Sequence, residues 1–83
     1  MLSDRELSEQ IIAILRPLAK DGSEITADTD LVADLSLDSL KIMEVLEEIE
    51  DRFDISVPIN TISDIQTVRD VISQIQKLLT EAD

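Results

Sequence analysis

Apolar residues recur three or four positions apart in three stretches of this 83-residue chain, and no other feature constrains its fold as strongly. Positions with that spacing share one face of an α-helix, whereas a half-buried β-strand requires strict alternation of apolar and polar residues. Sustained alternation occurs nowhere in the sequence. The periodicity therefore predicts an all-α fold.

The first helix is predicted to begin at Ser3, which has the spacing of a capping box with Glu6. Its apolar positions are Leu7, Ile11, Ile12, Ile14, Leu15 and Leu18. Pro17 lies inside this pattern and lacks a backbone N–H, so we expect the helix to end or kink near it. Asp21 and Gly22 are expected to close the segment.

The second main helix is predicted to run from about Ser39 to Phe53. Its core-facing stripe consists of Ile42, Val45, Leu46, Ile49 and Phe53. A last helix is predicted to open with a capping box from Thr67 to Asp70 and to fray from Thr80. Its buried stripe consists of Val68, Val71, Ile72, Ile75 and Leu79.

Two segments between these helices lack a long periodic pattern. Residues 23–37 form a connector, which we expect to pack on the bundle through Ile25, Leu31 and Leu35. Residues 59–65 have room for one or two helical turns, which are stable only when packed. The prediction is a single domain, residues 1–83, folded as a four-helix bundle. It has three main helices and one short helix, with a long loop between helices one and two.

The residue types that are missing exclude several chemistries. Because the chain has no Cys and no His, disulfides, the usual zinc sites and Ser-His-Asp catalysis are excluded. A calcium loop begun at Asp28 would place Val32, Ala33 and Ser39 where a polar ligand, a glycine and a glutamate are required. The sequence therefore predicts no enzyme, no catalytic residue and no metal site.

The formal net charge of −12 indicates the kind of partner. It disfavours nucleic acid and anionic membrane surfaces, and it suits proteins with basic faces. No apolar run approaches the roughly 20 residues of a membrane span, and no signal peptide is visible. We therefore expect a soluble, cytoplasmic protein.

Acidic residues cluster on the face of the second helix that lies opposite its core stripe. That face carries Leu40, Met43, Glu44, Glu47, Glu48 and Asp51. Two apolar residues among acidic ones are typical of a docking surface, and a plain solvated face explains the pattern equally well.

The tripeptide Asp38-Ser39-Leu40 stands where the second helix is predicted to begin. An Asp or Ser at that position caps a helix by accepting hydrogen bonds from unpaired backbone N–H groups. The alternative interpretation makes Ser39 a modification site, because its hydroxyl is presented at the start of a helix.

This motif follows Asp34-Leu35, and Phe53-Asp54-Ile55-Ser56-Val57-Pro58 comes after the acidic helix. With these residues the chain resembles the acyl carrier protein family, phosphopantetheine-binding carriers, over almost its whole length. The resemblance implies that a phosphopantetheinyl transferase (holo-carrier synthase) attaches 4′-phosphopantetheine from coenzyme A to Ser39, with Asp38 and Leu40 completing the motif. The thiol of that group then carries an acyl chain as a thioester.

The resemblance also implies partners and a place for the cargo. The acidic face of the second helix would receive the transferase and the acyl-transferring and condensing enzymes of lipid or polyketide biosynthesis, which have basic docking faces. The carrier itself is expected to be a monomer. An acyl chain sheltered inside the bundle would contact Leu46, Ile49, Ile62, Ile65 and Val71.

Three departures from the family pattern indicate a specialised carrier rather than the housekeeping one. Ser36-Leu37 precedes the motif where Gly-Xaa is common, Lys41 follows it where an acidic or neutral residue is common, and the short helix has only Asp64 as an acid. An aminoacyl or peptidyl carrier is the alternative with the same fold. A carrier-like interaction domain that is never modified is the alternative outside the carrier class.

Overall fold

The computed structural model describes residues 3–19 and 24–81. It contains three α-helices, α1 (Asp4–Leu15), α2 (Ser39–Phe53) and α3 (Val68–Glu81), and two 3₁₀ helices, Arg16–Leu18 and Ile59–Asp64. Within the described residues the only β-structure is an isolated antiparallel bridge, considered below. The predicted all-α fold of three main helices and a short one is confirmed, with the short helix in the 3₁₀ form.

Local sequence signals set both ends of α1. The Ser3 hydroxyl accepts a hydrogen bond from the Glu6 N–H at 3.1 Å, and the Ser3 N–H donates to the Glu6 carboxylate at 3.3 Å, which completes the predicted capping box. The α-helix ends one residue before the 3₁₀ turn that contains Pro17, because proline cannot donate the next helical hydrogen bond. The predicted closure at Asp21-Gly22 lies outside the described residues.

The end of α2 determines where the short 3₁₀ helix lies. Asp54 caps α2 in the left-handed conformation, with φ of 55°, and its N–H donates to the Glu50 carbonyl. The Glu50 carboxylate accepts a hydrogen bond from the Val57 N–H at 2.7 Å. This bond joins residues seven positions apart, so it holds the extended link after Asp54 back against α2. The 3₁₀ helix Ile59–Asp64 begins directly after that link.

The connector is held against the start of α3 by an antiparallel bridge between Asp30 and Thr67. The Leu31 N–H donates to the Gln66 carbonyl at 2.9 Å. Two further bonds run the other way, from the N–H groups of Val68 and Arg69 to carbonyls of the connector, at 3.0 and 2.8 Å. These bonds satisfy backbone groups that the first turn of α3 and an irregular loop would otherwise leave unpaired. We refer to them together as the Asp30–Thr67 bridge.

The core is aliphatic and is shared by all three α-helices and the connector. Ile25, Leu31 and Leu35 are buried, which confirms that the connector packs on the bundle as predicted. The predicted stripes of α2 and α3 are buried, except that Phe53 and Leu79 are only half-buried at the edge. Of the tail from Thr80 that was predicted to fray, Thr80 and Glu81 are helical, and residues 82–83 lie outside the described residues. The Thr80 hydroxyl donates to the Gln76 carbonyl at 2.9 Å, and the helix continues to Glu81.

Candidate functional site

Ser39 is the first residue of α2, and the residue before it caps the helix. The Asp38 carboxylate accepts a hydrogen bond from the Lys41 N–H at 2.9 Å, and the Asp38 carbonyl accepts one from Ile42 at 3.0 Å. The Ser39 side chain is exposed, and its hydroxyl makes no hydrogen bond with any residue in 3–19 or 24–81. Asp38 therefore holds the helix start, and the Ser39 hydroxyl is left accessible.

The chain on the upstream side of Ser39 is fixed by packing and by an unusual backbone angle. Leu37 is buried, and its N–H donates to the Leu31 carbonyl at 3.0 Å. Ser36 has φ of 57°, in the left-handed region that favours glycine. That conformation costs a non-glycine residue about 1–2 kcal/mol. The connector therefore reaches α2 through a defined turn, with the buried side chains of Leu37 and Ile42 on either side of Ser39.

The geometry at Ser39 suits a covalently attached phosphate. The backbone N–H groups of Ser39 and Leu40 have no partner among the described residues, because the Asp38 cap bonds only the N–H of Lys41. The N-terminus of a helix carries a partial positive charge that stabilises an anion. A phosphodiester on the Ser39 oxygen would therefore lie beside unpaired N–H groups and the positive end of the helix dipole.

The residues of the predicted docking surface lie together on α2. At about 100° per residue they fall within about 140° of the helix circumference. They are Leu40, Met43, Glu44, Glu47, Glu48 and Asp51, and we use "docking surface" for this set. The four acids are exposed, Leu40 is 67% exposed, and Met43 is half-buried. Glu44 is partly neutralised, because its carboxylate lies 3.7 Å from the Lys41 ammonium group.

The five positions predicted to shelter an acyl chain also belong to one region. They come from α2, the 3₁₀ helix Ile59–Asp64, the residue after it, and α3. Leu46, Ile49, Ile65 and Val71 are buried, and Ile62 is half-buried against the same cluster. All five side chains are aliphatic.

A groove between α1 and α2, about 450 Å³ in volume, was not predicted from the sequence. Its apolar side is formed by Ala13, Ile14, Pro17, Leu18 and Val45. Its charged rim is formed by Lys41, Glu44, Glu48 and Arg52. The rim residues follow helical spacing, so the sequence alone indicates that they share one face of α2. Which side of α1 packs beside that face is not determined by local periodicity, so the groove itself could not be predicted.

The remaining acidic cluster surrounds the Asp30–Thr67 bridge and is bonded internally. We use "bridge aspartates" for Asp28, Asp30, Asp34 and Asp70. Asp30 accepts from the N–H groups of Ala33 at 2.7 Å and Val32 at 2.9 Å, and from the Gln66 side chain at 3.1 Å. The Ala33 N–H, followed by the Gln66 side chain, lowers the pKa of Asp30.

The other three bridge aspartates are also bonded within the protein, Asp34 and Asp70 by backbone N–H groups and Asp28 by the Arg69 side chain. Asp70 accepts from the N–H of Thr67 at 3.0 Å and of Gln66 at 2.9 Å, and these bonds, that of Thr67 first, lower the pKa of Asp70. Its own N–H donates to the Thr67 hydroxyl, which completes the second predicted capping box. Asp34 accepts from the Asp30 N–H at 2.8 Å, and Asp28 pairs with Arg69. In the described ranges, no group of acidic side chains is arranged to hold a metal ion.

A family model described as "Phosphopantetheine attachment site" matches residues 9–75 of the chain. The chain belongs to this family. Among curated relatives, the acyl carrier protein of Exiguobacterium sibiricum is 41% identical over 64 residues, covering 77% of this chain and 81% of the relative. A meromycolate extension acyl carrier protein of Mycolicibacterium smegmatis is 35% identical over 78 residues, covering 88% of this chain and 79% of the relative.

A solved acyl carrier protein from Thermotoga maritima has the same fold. Its TM-score is 0.77 at 24% sequence identity, and the match covers 96% of this chain and 94% of that one. The chain is thus a carrier of the acyl carrier protein family, which has 4′-phosphopantetheine as its prosthetic group and is not itself a catalyst. Its family interacts with phosphopantetheinyl transferases and with biosynthetic enzymes. No helix in the described part of the chain is long and apolar enough to span a membrane.

Proposed function

We propose that Ser39 is the residue of this carrier to which 4′-phosphopantetheine is attached. The observation that carries the proposal is the position of Ser39 as the exposed first residue of α2, with Asp38 as its cap. This position lies within residues 9–75, which match the attachment-site family. Other serines in the described part of the chain are placed differently. The Ser3 hydroxyl is engaged in a capping box, for instance, and the Ser63 hydroxyl donates to the Asn60 carbonyl.

The residues around Ser39 keep its hydroxyl accessible to the transferase and take no part in bond formation themselves. The Asp38 carboxylate accepts a hydrogen bond from the Lys41 N–H at the start of α2. It therefore caps the helix and does not bind the Ser39 hydroxyl. The N-terminus of α2 then stabilises the negative charge of the attached phosphodiester. When bound, the prosthetic group supplies a thiol, which holds the acyl cargo as a thioester.

The docking surface is the part of the carrier that we expect its partners to contact. Exposed carboxylates on one side of α2 would meet basic faces on the transferase and on acyl-transferring and condensing enzymes. Leu40, which is 67% exposed, would supply an apolar contact beside Ser39. Charge attraction of this kind mainly raises association rates, so the complexes can still dissociate between steps. We further propose that the carrier acts as a monomer.

The test of the attachment site is a mass measurement after incubation with a phosphopantetheinyl transferase and coenzyme A. The wild-type protein should gain one phosphopantetheinyl group, and Ser39→Ala should gain none while keeping its helical circular dichroism spectrum. Ser73→Ala, which removes an exposed serine of α3, is the matched control and should be modified like the wild type. Modification of Ser39→Ala would show that the site lies elsewhere.

We propose that the cargo is an acyl chain long enough to enter the core between α2 and α3. The five aliphatic positions Leu46, Ile49, Ile62, Ile65 and Val71 offer no polar group that a hydrocarbon chain would leave unpaired. Each CH₂ that leaves water stabilises the loaded protein by about 0.8 kcal/mol, and this gain is offset by the cost of parting packed side chains. An octanoyl chain should therefore raise the melting temperature above that of the unacylated holo form, and an acetyl group should have little effect.

Nuclear magnetic resonance distinguishes an internal chain from an external one. An internal octanoyl chain should shift the amide resonances of Leu46, Ile62 and Ile65, which lie within the core region. Shifts confined to the neighbours of Ser39, with equal melting temperatures for the octanoyl and holo forms, would mean that the chain stays outside.

We propose that the carrier serves a dedicated lipid or polyketide pathway. The 3₁₀ helix Ile59–Asp64 has a single acidic residue, and its first residue, Ile59, is 71% exposed. An exposed isoleucine in this position favours partners with an apolar contact there rather than a basic one. Loading assays with fatty-acyl and amino-acid ligases test the class of cargo. Loading by the amino-acid ligase alone would instead indicate an aminoacyl carrier.

A further inference from the structure

The groove between α1 and α2 is electrically balanced in a chain whose net charge is −12. Its rim has two cations, Lys41 and Arg52, and two carboxylates, Glu44 and Glu48. The rest of its lining is apolar. A uniformly basic partner face is attracted by the other carboxylates of the docking surface but is repelled by the cations at this groove. The groove therefore suits a partner surface of mixed charge, whereas the rest of the docking surface suits a basic one.

Of the rim residues, Arg52 and Glu48 have no ion pair with any residue of 3–19 or 24–81, and Arg52 is the cation of the two. The Lys41 ammonium group lies 3.7 Å from the Glu44 carboxylate. Glu48 and Arg52 have the i,i+4 spacing at which helical ion pairs form. Nevertheless, Arg52 makes no ion pair or side-chain hydrogen bond with any residue of 3–19 or 24–81. Its guanidinium group presents a planar set of N–H donors that matches a carboxylate in geometry.

Stabilisation of α2 explains why a cation lies in the last turn of the helix, but it does not explain why Arg52 is on the side that faces α1. A cation in the last turn of a helix interacts favourably with the helix dipole, and Arg52 lies in that turn. That interaction requires a cation in the turn and does not depend on the side of the helix. The side on which Arg52 lies is the one facing α1, which places it at the groove about 16 Å along the helix from Lys41.

We propose that the groove binds a segment of a partner protein that presents apolar side chains to the floor and one carboxylate to Arg52. The inference rests on the proposed function, because it extends the docking surface around α2 through Glu44 and Glu48, which belong to both. The groove volume of about 450 Å³ accommodates several aliphatic side chains. Arg52 discriminates between partners at the position it contacts, where it attracts a carboxylate and repels a lysine or arginine, whereas Glu48 has the opposite preference one turn away.

Two synthetic amphipathic peptides, stapled to be helical, provide the probe. They have the same apolar face and differ at one position beside it, which is Glu in one peptide and Lys in the other. Each is titrated into the full-length ¹⁵N-labelled protein at physiological ionic strength, which screens the long-range attraction between the Lys peptide and a chain of net charge −12, and the amide shifts of residues at the groove are followed. Because the readout does not involve modification of Ser39, failure of the attachment proposal leaves this experiment interpretable.

The Glu peptide should shift the amide resonances of Ala13, Leu18 and Val45 and should bind there about fivefold more tightly than the Lys peptide. Arg52→Gln should remove that preference. Lys77→Gln, which neutralises an exposed cation on α3 away from the groove, is the matched control and should retain it.

Three outcomes overturn the proposal. The first is the absence of shifts at the groove with either peptide up to millimolar concentration. The second is binding of the Lys peptide at the groove as tightly as the Glu peptide. The third is a preference for the Glu peptide that is the same in Arg52→Gln and in the wild type.

Discussion

The bridge aspartates and the docking surface each contain four acidic residues, but the two regions differ in how those carboxylates are bonded. Each bridge aspartate is bonded within the protein. Asp30, Asp34 and Asp70 accept hydrogen bonds from backbone N–H groups, and Asp28 pairs with the Arg69 side chain. The carboxylates of the docking surface are exposed, and among the described residues only Glu44 has a partner, Lys41. The comparison shows that the number of acidic residues does not indicate their role. What separates the two regions is which carboxylates are already bonded within the protein.

Reversing charge on the docking surface should have the largest effect. We expect Glu47→Lys with Asp51→Lys to lower the initial rate of phosphopantetheinylation at low salt by about tenfold, because charge steering of association is lost. The measurement is the rate of mass gain at low and at physiological ionic strength, and the difference should shrink as salt screens the charges.

The control for this double variant is Glu9→Lys with Glu24→Lys, which changes the net charge equally at exposed positions outside the docking surface. It should be modified at close to the wild-type rate. Equal slowing in both double variants would show that only the overall charge matters and that the docking surface has no special role.

Removing a bridge aspartate should affect stability instead. Asp70→Ala deletes the carboxylate that accepts from Gln66 and Thr67 at the start of α3, and we expect it to lower the free energy of unfolding by about 1 kcal/mol. Urea denaturation measures this loss. Glu47→Ala is the control, and it should change the unfolding free energy by less than about 0.5 kcal/mol because its carboxylate has no partner to lose in the described structure. Equal losses in the two variants would remove the distinction between the regions.

Acid should weaken the contribution of the bridge aspartates. Their hydrogen bonds lower the pKa values of Asp30 and Asp70 below the ordinary value of 3.8, so the folded protein holds these carboxylates ionised more strongly than the unfolded chain does. The resulting stabilisation is complete above the ordinary pKa and is lost as the pH falls through the lowered pKa values.

Asp70→Asn, which resembles the protonated side chain, provides the test. The difference in unfolding free energy between wild type and this variant should be constant at neutral pH and should shrink below about pH 4. A difference that persists unchanged at the lowest pH at which both proteins fold would mean that the charge of Asp70 contributes nothing.

The smallest effect is expected at the ion pair between Arg69 and Asp28. Both side chains are more than half exposed, so solvent screens the attraction. Arg69→Gln should lower the unfolding free energy by less than about 0.5 kcal/mol. Thermal unfolding of this variant beside Asp70→Ala ranks the two contributions, and a larger loss in Arg69→Gln would reverse the assignment of the bridge's stability to hydrogen bonds.

The sequence predicts the parts of this fold that depend on near neighbours. The start of α2 at Ser39 follows from a cap and an apolar stripe within one segment, and both capping boxes join residues three apart. The packing of the connector through Ile25, Leu31 and Leu35 was also predictable, because a long connector in a compact domain commonly packs through its own apolar residues. Val32 of the same connector is nevertheless 59% exposed. The 3₁₀ form of the short helix was not predicted, since one or two turns leave too little pattern to separate the two helical types.

Contacts between distant residues were beyond local patterns. The side chains of Asp30 and Gln66 are 36 positions apart, and nothing near either one identifies the other. The groove also depends on contacts between distant residues, because Arg52 and Pro17 come together only when α1 and α2 pack. For the proposed site, the sequence predicted that Ser39 and the docking surface lie on one helix, and both are on α2. The availability of Arg52 could be recognised only after the ion pairs were known.

The Asp30–Thr67 bridge also has a consequence for hydrogen exchange. It closes residues 31–66, which include α2 and the 3₁₀ helix Ile59–Asp64, into a single loop. The N–H groups of Leu31, Val68 and Arg69 all cross the bridge, so one opening event exposes all three to solvent. Their amide protons should therefore exchange with a common opening free energy. The turn that leads into Ser39 is thus anchored by residues that follow α2 in the chain.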